Sequence, residues 1–354
     1  MDAAAPTHEA PAGQAPAPRA PARPRRWLRL LGLALFALLT GLGLATLFLG
    51  AMIERTPADP AFTPRPLPRE VAERFDYLER GTPAEVVEEF QHERGWGYRS
   101  RWIKLSVTSP DEDEPHSVQV IHYRSAAPGR RPAVLIAPIS GGRQPVARAL
   151  GPLLARRGFH VAVVLRAERY LDGRYPEGWL EHVLRVAVID RRRTIDWLVA
   201  QPDVDPARIG ALGVSMGGLV TSILVGVEPR LRCAVIALAG APLSELVTQS
   251  DEARVLRYVS ERAERGVYGE ELAERVQAAV PSDPLALAPS RRMPVLQVLA
   301  ARDTSVPTAA QEQLWQALGR PERIVLPTGH VSTLVYAPWL AEACADWLEA
   351  KLGG

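Results

Sequence analysis

The chain has 354 residues, 47% hydrophobic and 23% charged, with 27 Gly, 32 Pro and 2 Cys. That length and apolar content can build a substantial core, which excludes a wholly disordered, collagen-like or disulfide-stapled protein. Net charge is +2, and the 42 basic residues, all arginine except Lys104 and Lys351, run through the whole chain instead of forming one nucleic-acid-binding patch.

Residues 1–29 form a basic tail: 2–26 are mostly Ala and Pro without apolar periodicity and are expected to be disordered. Arg19, Arg23, Arg25, Arg26 and Arg29 close this tail. From Leu30 to Ile53 no residue is charged, a run of 24. As a helix it would extend about 36 Å, enough to cross a hydrocarbon core of about 30 Å with some tilt. The run reads as an uncleaved transmembrane signal anchor at 30–53; a cleaved signal peptide, with Gly50 and Ala51 as small residues near a cut, is the alternative. Arginines before the span, and Glu54 and Asp59 after it, leave the tail cytoplasmic and send the rest to the periplasm or outside. Residues 54–99 read as a Pro-rich spacer and lead-in, with a short helical pattern at Pro83–His92.

The globular part, 100–354, opens with two alternating segments, Trp102–Thr108 and Ser117–Tyr123, expected to be an antiparallel pair. Ala133–Ile139, His160–Leu165, Ile209–Val214, Cys233–Ala239 and Val295–Ala300 are continuous apolar runs, as in strands covered on both faces. Helical patterns lie at Pro145–Arg157, Leu180–Ala200, Gly217–Gly226, Thr308–Leu318 and Ala337–Leu352, and a last strand at Arg323–Leu326. The expected architecture is therefore α/β, a mostly parallel sheet with helices on both faces. About 241–293 has helical patterns around Glu252–Arg265 and Glu270–Val280 and reads as an inserted cap. Asp190–Arg193 and Asp196 read as a solvated helix face with close ion pairs. Trp197, Trp315, Trp339 and Trp347 read as core residues, and Cys233 and Cys344 as buried small hydrophobes.

Gly213-Val214-Ser215-Met216-Gly217 is a G-x-S-x-G pattern at the junction of an apolar strand and a helix. Small residues around the serine permit a tight turn that exposes its hydroxyl at the carboxyl end of the sheet. The backbone N–H of Met216 then becomes an oxyanion donor. Of seven histidines only His330 follows Ser215, in a loop just past the last strand. Four aspartates follow Ser215: Asp251 lies in the cap, Asp346 comes after His330, and Asp283 sits in a Pro-Ser-Asp-Pro turn. Asp303 directly follows an apolar strand and is the favoured acid, with Asp283 in reserve.

The stretch Asp203 to Gly218 (D-V-D-P-A-R-I-G-A-L-G-V-S-M-G-G), supported by R-D-T-S-V-P at Arg302–Pro307, resembles the α/β-hydrolase superfamily over roughly residues 100–352. It is most similar to the dienelactone hydrolase, acetyl-xylan-esterase and prolyl-oligopeptidase-like branch. The resemblance implies an eight-stranded, mostly parallel sheet and a Ser215–Asp303–His330 triad. It also implies a second oxyanion N–H after the third strand of the fold. Here that loop reads Pro138-Ile139-Ser140-Gly141-Gly142, with Ser140 the positional match and Ile139 the alternative.

These readings point to a membrane-anchored serine hydrolase acting on a small-molecule ester, without cofactor, metal or nucleic acid. The acyl and alcohol groups and the oligomeric state are left open. Arg166, Tyr170 and Tyr175, in the loop after the fourth strand, are candidate substrate contacts, against ordinary loop packing as the alternative. A peptidase or thioesterase of the same fold, or a non-catalytic membrane-tethered scaffold, are the competing functions. Residues 70–100 are too few for the propeller that prolyl oligopeptidases carry.

Overall fold

The computed structural model describes residues 52–77, 82–109, 114–139, 144–165 and 171–353. The expected tail and all of the 30–53 run except Met52 and Ile53 lie outside the described residues. Among the described residues no helix is long and apolar enough to cross a membrane.

The chain first lays down β1 (Glu54–Thr56), α1 (Arg69–Glu73), β2 (Glu85–Gly95), β3 (Tyr98–Val107) and β4 (His116–Ser125). Alternating units follow: β5 (Arg131–Ala137), α2 (Pro145–Arg156), β6 (His160–Val164), α3 (Gly178–Val199), β7 (Val204–Val214), α4 (Met216–Val227) and β8 (Leu231–Ala237). Four helices interrupt the rhythm, α5 (Leu243–Gln249), α6 (Ala253–Ala263), α7 (Gly269–Ala279) and α8 (Pro284–Leu287). The rhythm resumes with β9 (Val295–Ala300), α9 (Thr308–Ala317), β10 (Glu322–Leu326) and α10 (Ala337–Leu352).

Among the described residues ten strands form one mixed sheet in the order β1-β10-β9-β8-β7-β5-β6-β4-β3-β2. The run from β10 to β6 is parallel. Antiparallel strands flank it on both sides. The parallel strands are buried on both faces, as their unbroken apolar runs require. Leu135, Ala162, Ala211 and Ile236 share one core with Leu184, Val188, Val220 and Ile223 of α3 and α4. The alternate residues face α2 and α10: a side chain at Gly210 would meet Leu348 and Leu352 of α10 and the Cys233 sulfur. Cys233 and Cys344 are buried and unpaired, and burial pushes both thiols up to about 12.

Four expectations are corrected. The eight-stranded, mostly parallel sheet gains an edge strand at each side, β1 and β2. Pro83–His92, expected to be helical, lies largely in β2 and pairs with β3 through two register shifts. The polar, Glu-rich sequence there reads helically in isolation, but pairing decides the outcome. Lys104 reaches Glu88 at 2.5 Å, Arg101 reaches Glu89 at 2.8 Å, and Phe90 lies 6.0 Å from Trp102 between ring centroids. Trp315 and Trp339 are only half-buried, with Arg323 and Arg55 stacked over their rings, whereas Trp197 and Trp347 are core.

The fourth correction is the α3 charge cluster. Asp190, Arg191, Arg192, Arg193 and Asp196 are all buried. Phe75, Thr82 and the α4–β8 turn lie against them. Arg192 donates to the Phe75 carbonyl at 2.5 Å and Arg193 to the Thr82 carbonyl at 2.7 Å. Asp196 holds Arg193 at 3.0 Å and Arg230 at 2.5 Å, while Glu228 accepts from Arg192 at 3.2 Å. Arg192, Arg193 and Asp196 thus have charged partners that offset desolvation.

A buried histidine makes stability depend on pH. The His122 ring, edge-on to Trp197 at 5.0 Å, has its pKa lowered to about 3 by burial, by Arg101 and by His160. Unfolded, it titrates near its ordinary value of about 6.5. The unfolded chain therefore binds more protons below that value, and stability falls as pH drops from 6.5 toward 3. His122 alone removes about 2 kcal/mol between pH 6.5 and 5. Urea denaturation across that range should show a falling midpoint, with a shallower fall in His122→Phe; equal slopes would contradict it.

Candidate active site

The site is built where β7 turns into α4. Pairing of Gly213 with Ala137 of β5, and of Val214 with Ala237 of β8, brings the three strand ends level. Ser215 then sits at φ 55° and ψ −119°, a conformation unusual for a residue with a side chain. Its N–H donates to the Ala237 carbonyl at 2.8 Å, and its own carbonyl accepts from Leu219 at 2.9 Å. The turn closes only because its flanks lack side chains. A Cβ on Gly217 would lie 1.9 Å from the Ala137 carbonyl oxygen, and one on Gly213 would lie 2.1 Å from the Gly217 oxygen.

The parallel strands β9 and β10 deliver the other two side chains to the same end of the sheet. His330, four residues past β10, places Nε2 3.0 Å from Ser215 Oγ and Nδ1 2.7 Å from Asp303 Oδ2. Asp303, three residues past β9, is 3% exposed. Its Oδ1 accepts from the N–H groups of Ser305 at 3.0 Å and Val306 at 2.8 Å. The histidine loop is locked to this turn: Arg302 N–H donates to the Thr328 carbonyl at 2.9 Å, and Thr333 Oγ1 to the Gly329 carbonyl at 2.9 Å. A hydroxyl, imidazole and carboxylate aligned in this way can move the serine proton onto the imidazole while the carboxylate stabilises the cation.

One contributor was not found in the sequence. Gln311 of α9, fully buried, donates from Nε2 to Asp303 Oδ2 at 3.1 Å and to the Val306 carbonyl at 2.8 Å. It accepts the Ala300 N–H at 3.3 Å. Its amide fixes the carboxylate oxygen that faces His330. A glutamine eight residues after the acid carries no motif that would have marked it. The Asx-type turn at Asp303-Thr304-Ser305-Val306-Pro307, by contrast, was legible.

The remaining candidates fall as follows. Met216 opens α4, whose first N–H groups have no acceptor within the helix. Ser140 lies outside the described residues, while the Pro138 carbonyl next to Ile139 borders the elbow. Arg166 and Tyr170 also lie outside them. Tyr175 stacks on Trp179 at 4.7 Å, and its carbonyl accepts from Arg262 of α6. Asp283 caps α8, accepting from Leu285 at 2.9 Å and from Leu243 at 2.7 Å, which accounts for it structurally. The inserted helices touch the site through Ser250 and Asp251. Ser250 donates to the Ser305 carbonyl at 2.6 Å, and Asp251 accepts from Ser305 Oγ at 2.9 Å. Hydrogen bonds from Thr304 and Ser305 hold the Asp251 carboxyl below its ordinary value.

The fold is that of the α/β-hydrolases, and it aligns a serine hydroxyl, an imidazole and a buried carboxylate at the carboxyl end of its sheet. Residues 152–326 match the family model of the prolyl oligopeptidase family, a span that contains Ser215 and Asp303 and stops short of His330. The match covers just under half of the chain and is to a family in the branch that its motifs resemble. An acetyl xylan esterase of a Paenibacillus species superposes with TM-score 0.60 at 17% identity, covering 83% of this chain and 98% of that one. Acetyl xylan esterase 1 of a Thermoanaerobacterium species gives 0.56 at 15%, covering 79% and 96%. A cold-adapted esterase from an Arctic intertidal metagenomic library gives 0.53 at 18%, covering 74% and 97%. At these identities the likeness is one of fold. Two uncharacterized Mycobacterium tuberculosis proteins are 29% identical over 151 residues, 42% of this chain; the chain spans about a third of the length of these curated relatives, 34%.

The elbow yields a direct stability test. Gly217→Ala forces a methyl against the Ala137 carbonyl, and should cost about 3 kcal/mol or more. A urea midpoint equal to that of the parent would contradict this geometry.

Proposed function

We propose that this protein is a carboxylic ester hydrolase that works through an acyl-enzyme on Ser215 and is held at a membrane by residues 30–53. The hydrogen-bond chain Ser215 Oγ–His330 Nε2–Asp303 carries the first part. His330 takes the hydroxyl proton as Ser215 attacks the ester carbonyl, and Asp303 stabilises the imidazolium formed. The Met216 N–H, with a second N–H from Ser140 or Ile139, holds the oxyanion. His330 then returns its proton to the leaving alcohol and activates the water that releases the acid. Arg166, Tyr170 and Tyr175 are the candidates for contacts to the substrate's alcohol or acyl part.

The esterase names of the structural neighbours favour ester over amide substrates. The prolyl oligopeptidase match keeps a peptidase as the second reading. The uncharged run at 30–53 after five arginines supports the anchor, with the tail cytoplasmic and the hydrolase periplasmic or extracellular. Protease added to spheroplasts should then degrade the hydrolase domain; full protection would contradict this orientation.

Ser215→Ala should lower turnover of a short-chain nitrophenyl ester by about 10³-fold or more, and Asp303→Asn by about 10²–10⁴-fold, in kcat more than in KM. Retained turnover in Ser215→Ala would remove the assignment. Faster cleavage of a peptide panel than of any ester would favour the peptidase.

A further inference from the structure

The segment after His330 is unusual for a catalytic loop. Ser332–Tyr336 forms a single 3₁₀ turn. It buries Thr333 and Tyr336 and turns three apolar side chains outward: Val331 is 72% exposed, Leu334 59% and Val335 64%. Scattered apolar residues on a surface need no explanation, but three within five positions beside a catalytic imidazole form a patch. Within the turn, Thr333 N–H donates to the Gly329 carbonyl and Leu334 N–H to the Val331 carbonyl.

Where the chain enters the domain bears on what covers them. β1 is antiparallel to β10, and Glu54, the residue after the uncharged 30–53 run, is level with Val325. Val325 is five residues before His330 in the sequence. Arg55 places its guanidinium 5.3 Å from the centre of the Trp339 ring, on the helix that directly follows the apolar turn. The chain thus enters at the catalytic edge of the sheet, not at the opposite edge where β5 to β9 begin. The uncharged run of the sequence ends at Ile53, the residue before β1.

We propose that Val331, Leu334 and Val335 rest on the lipid surface, so that the site opens toward the membrane and takes long-chain acyl esters carried there. This rests on the anchored-esterase reading above. Burial of the three side chains among acyl chains removes their exposed area from water, and an ester in the bilayer reaches Ser215 without crossing bulk water. Hydrolysis breaks the acyl–oxygen bond: water supplies hydroxyl to the acyl carbon and a proton to the alcohol, and the fatty acid is left with the lipid.

The test uses the full chain reconstituted in phosphatidylcholine vesicles. A fluorophore is placed at Leu334→Cys or, as a control at the opposite edge, at Arg232→Cys; the two native cysteines are buried and their thiols are pushed up to about 12. Nitroxide-bearing lipid should quench the 334 label several-fold more than the 232 label. Equal quenching would overturn the proposal, as would an unquenched, blue-shifted 334 label, the mark of a turn covered by a second copy. Failure of the protein to float with the vesicles would overturn the anchor itself, and absence of short-chain esterase activity the hydrolase reading. Leu334→Asp/Val335→Asp should lose about tenfold on a long-chain nitrophenyl ester in the vesicles while keeping soluble acetate-ester turnover within about twofold. Equal loss on both, or loss on neither, would overturn the proposal.

Discussion

The close approach of the Ser215 elbow to its neighbouring strands is the constraint on which the rest of the site depends. The backbone at Gly217 presses against the Ala137 carbonyl, and the Ser215 N–H is fixed on the Ala237 carbonyl. Both contacts exist because β5, β7 and β8 are parallel and end in register. An unfavourable φ at Ser215 is tolerated because the sheet on either side over-determines it. With the serine fixed there, β9 and β10 need only end at the same level. One delivers Asp303, the other His330.

Rigidity is distributed accordingly. Asp303 is held on three sides, by the amides of Ser305 and Val306, by Gln311, and by His330 itself. The imidazole loop is tied back to the Asp303 turn and to its own 3₁₀ turn. The inserted segment bears on the same turn through Ser250 and Asp251. The buried arginines of α3 do a separate job: they fasten the carbonyls of Phe75 and Thr82 to the sheet's helical layer.

Much of this was legible because the signals were local. Apolar runs marked the parallel strands, and Val295–Ala300 and Ala337–Leu352 stand where they were expected. The serine elbow announced itself by its glycines, and chain order alone left His330 as the histidine that Asp303 and Ser215 now bracket. What was illegible depended on partners distant in sequence. β1 and β2 are strands because β10 and β3 offer them edges, not because their own residues favour extension. The α3 charges read as solvated because nothing local reveals that Phe75, Thr82 and Glu228 will meet them. Gln311 escaped for the same reason: its meaning lies in a carboxylate on another element.

The central claim is that the Ser215 hydroxyl is the nucleophile made reactive by His330. Treatment of the full chain with a fluorophosphonate, followed by peptide mass spectrometry, tests it most directly. The account predicts one adduct, on the peptide that contains Ser215, and its loss in His330→Ala. No adduct, or an adduct on a different serine with Ser215 unmodified, would contradict it.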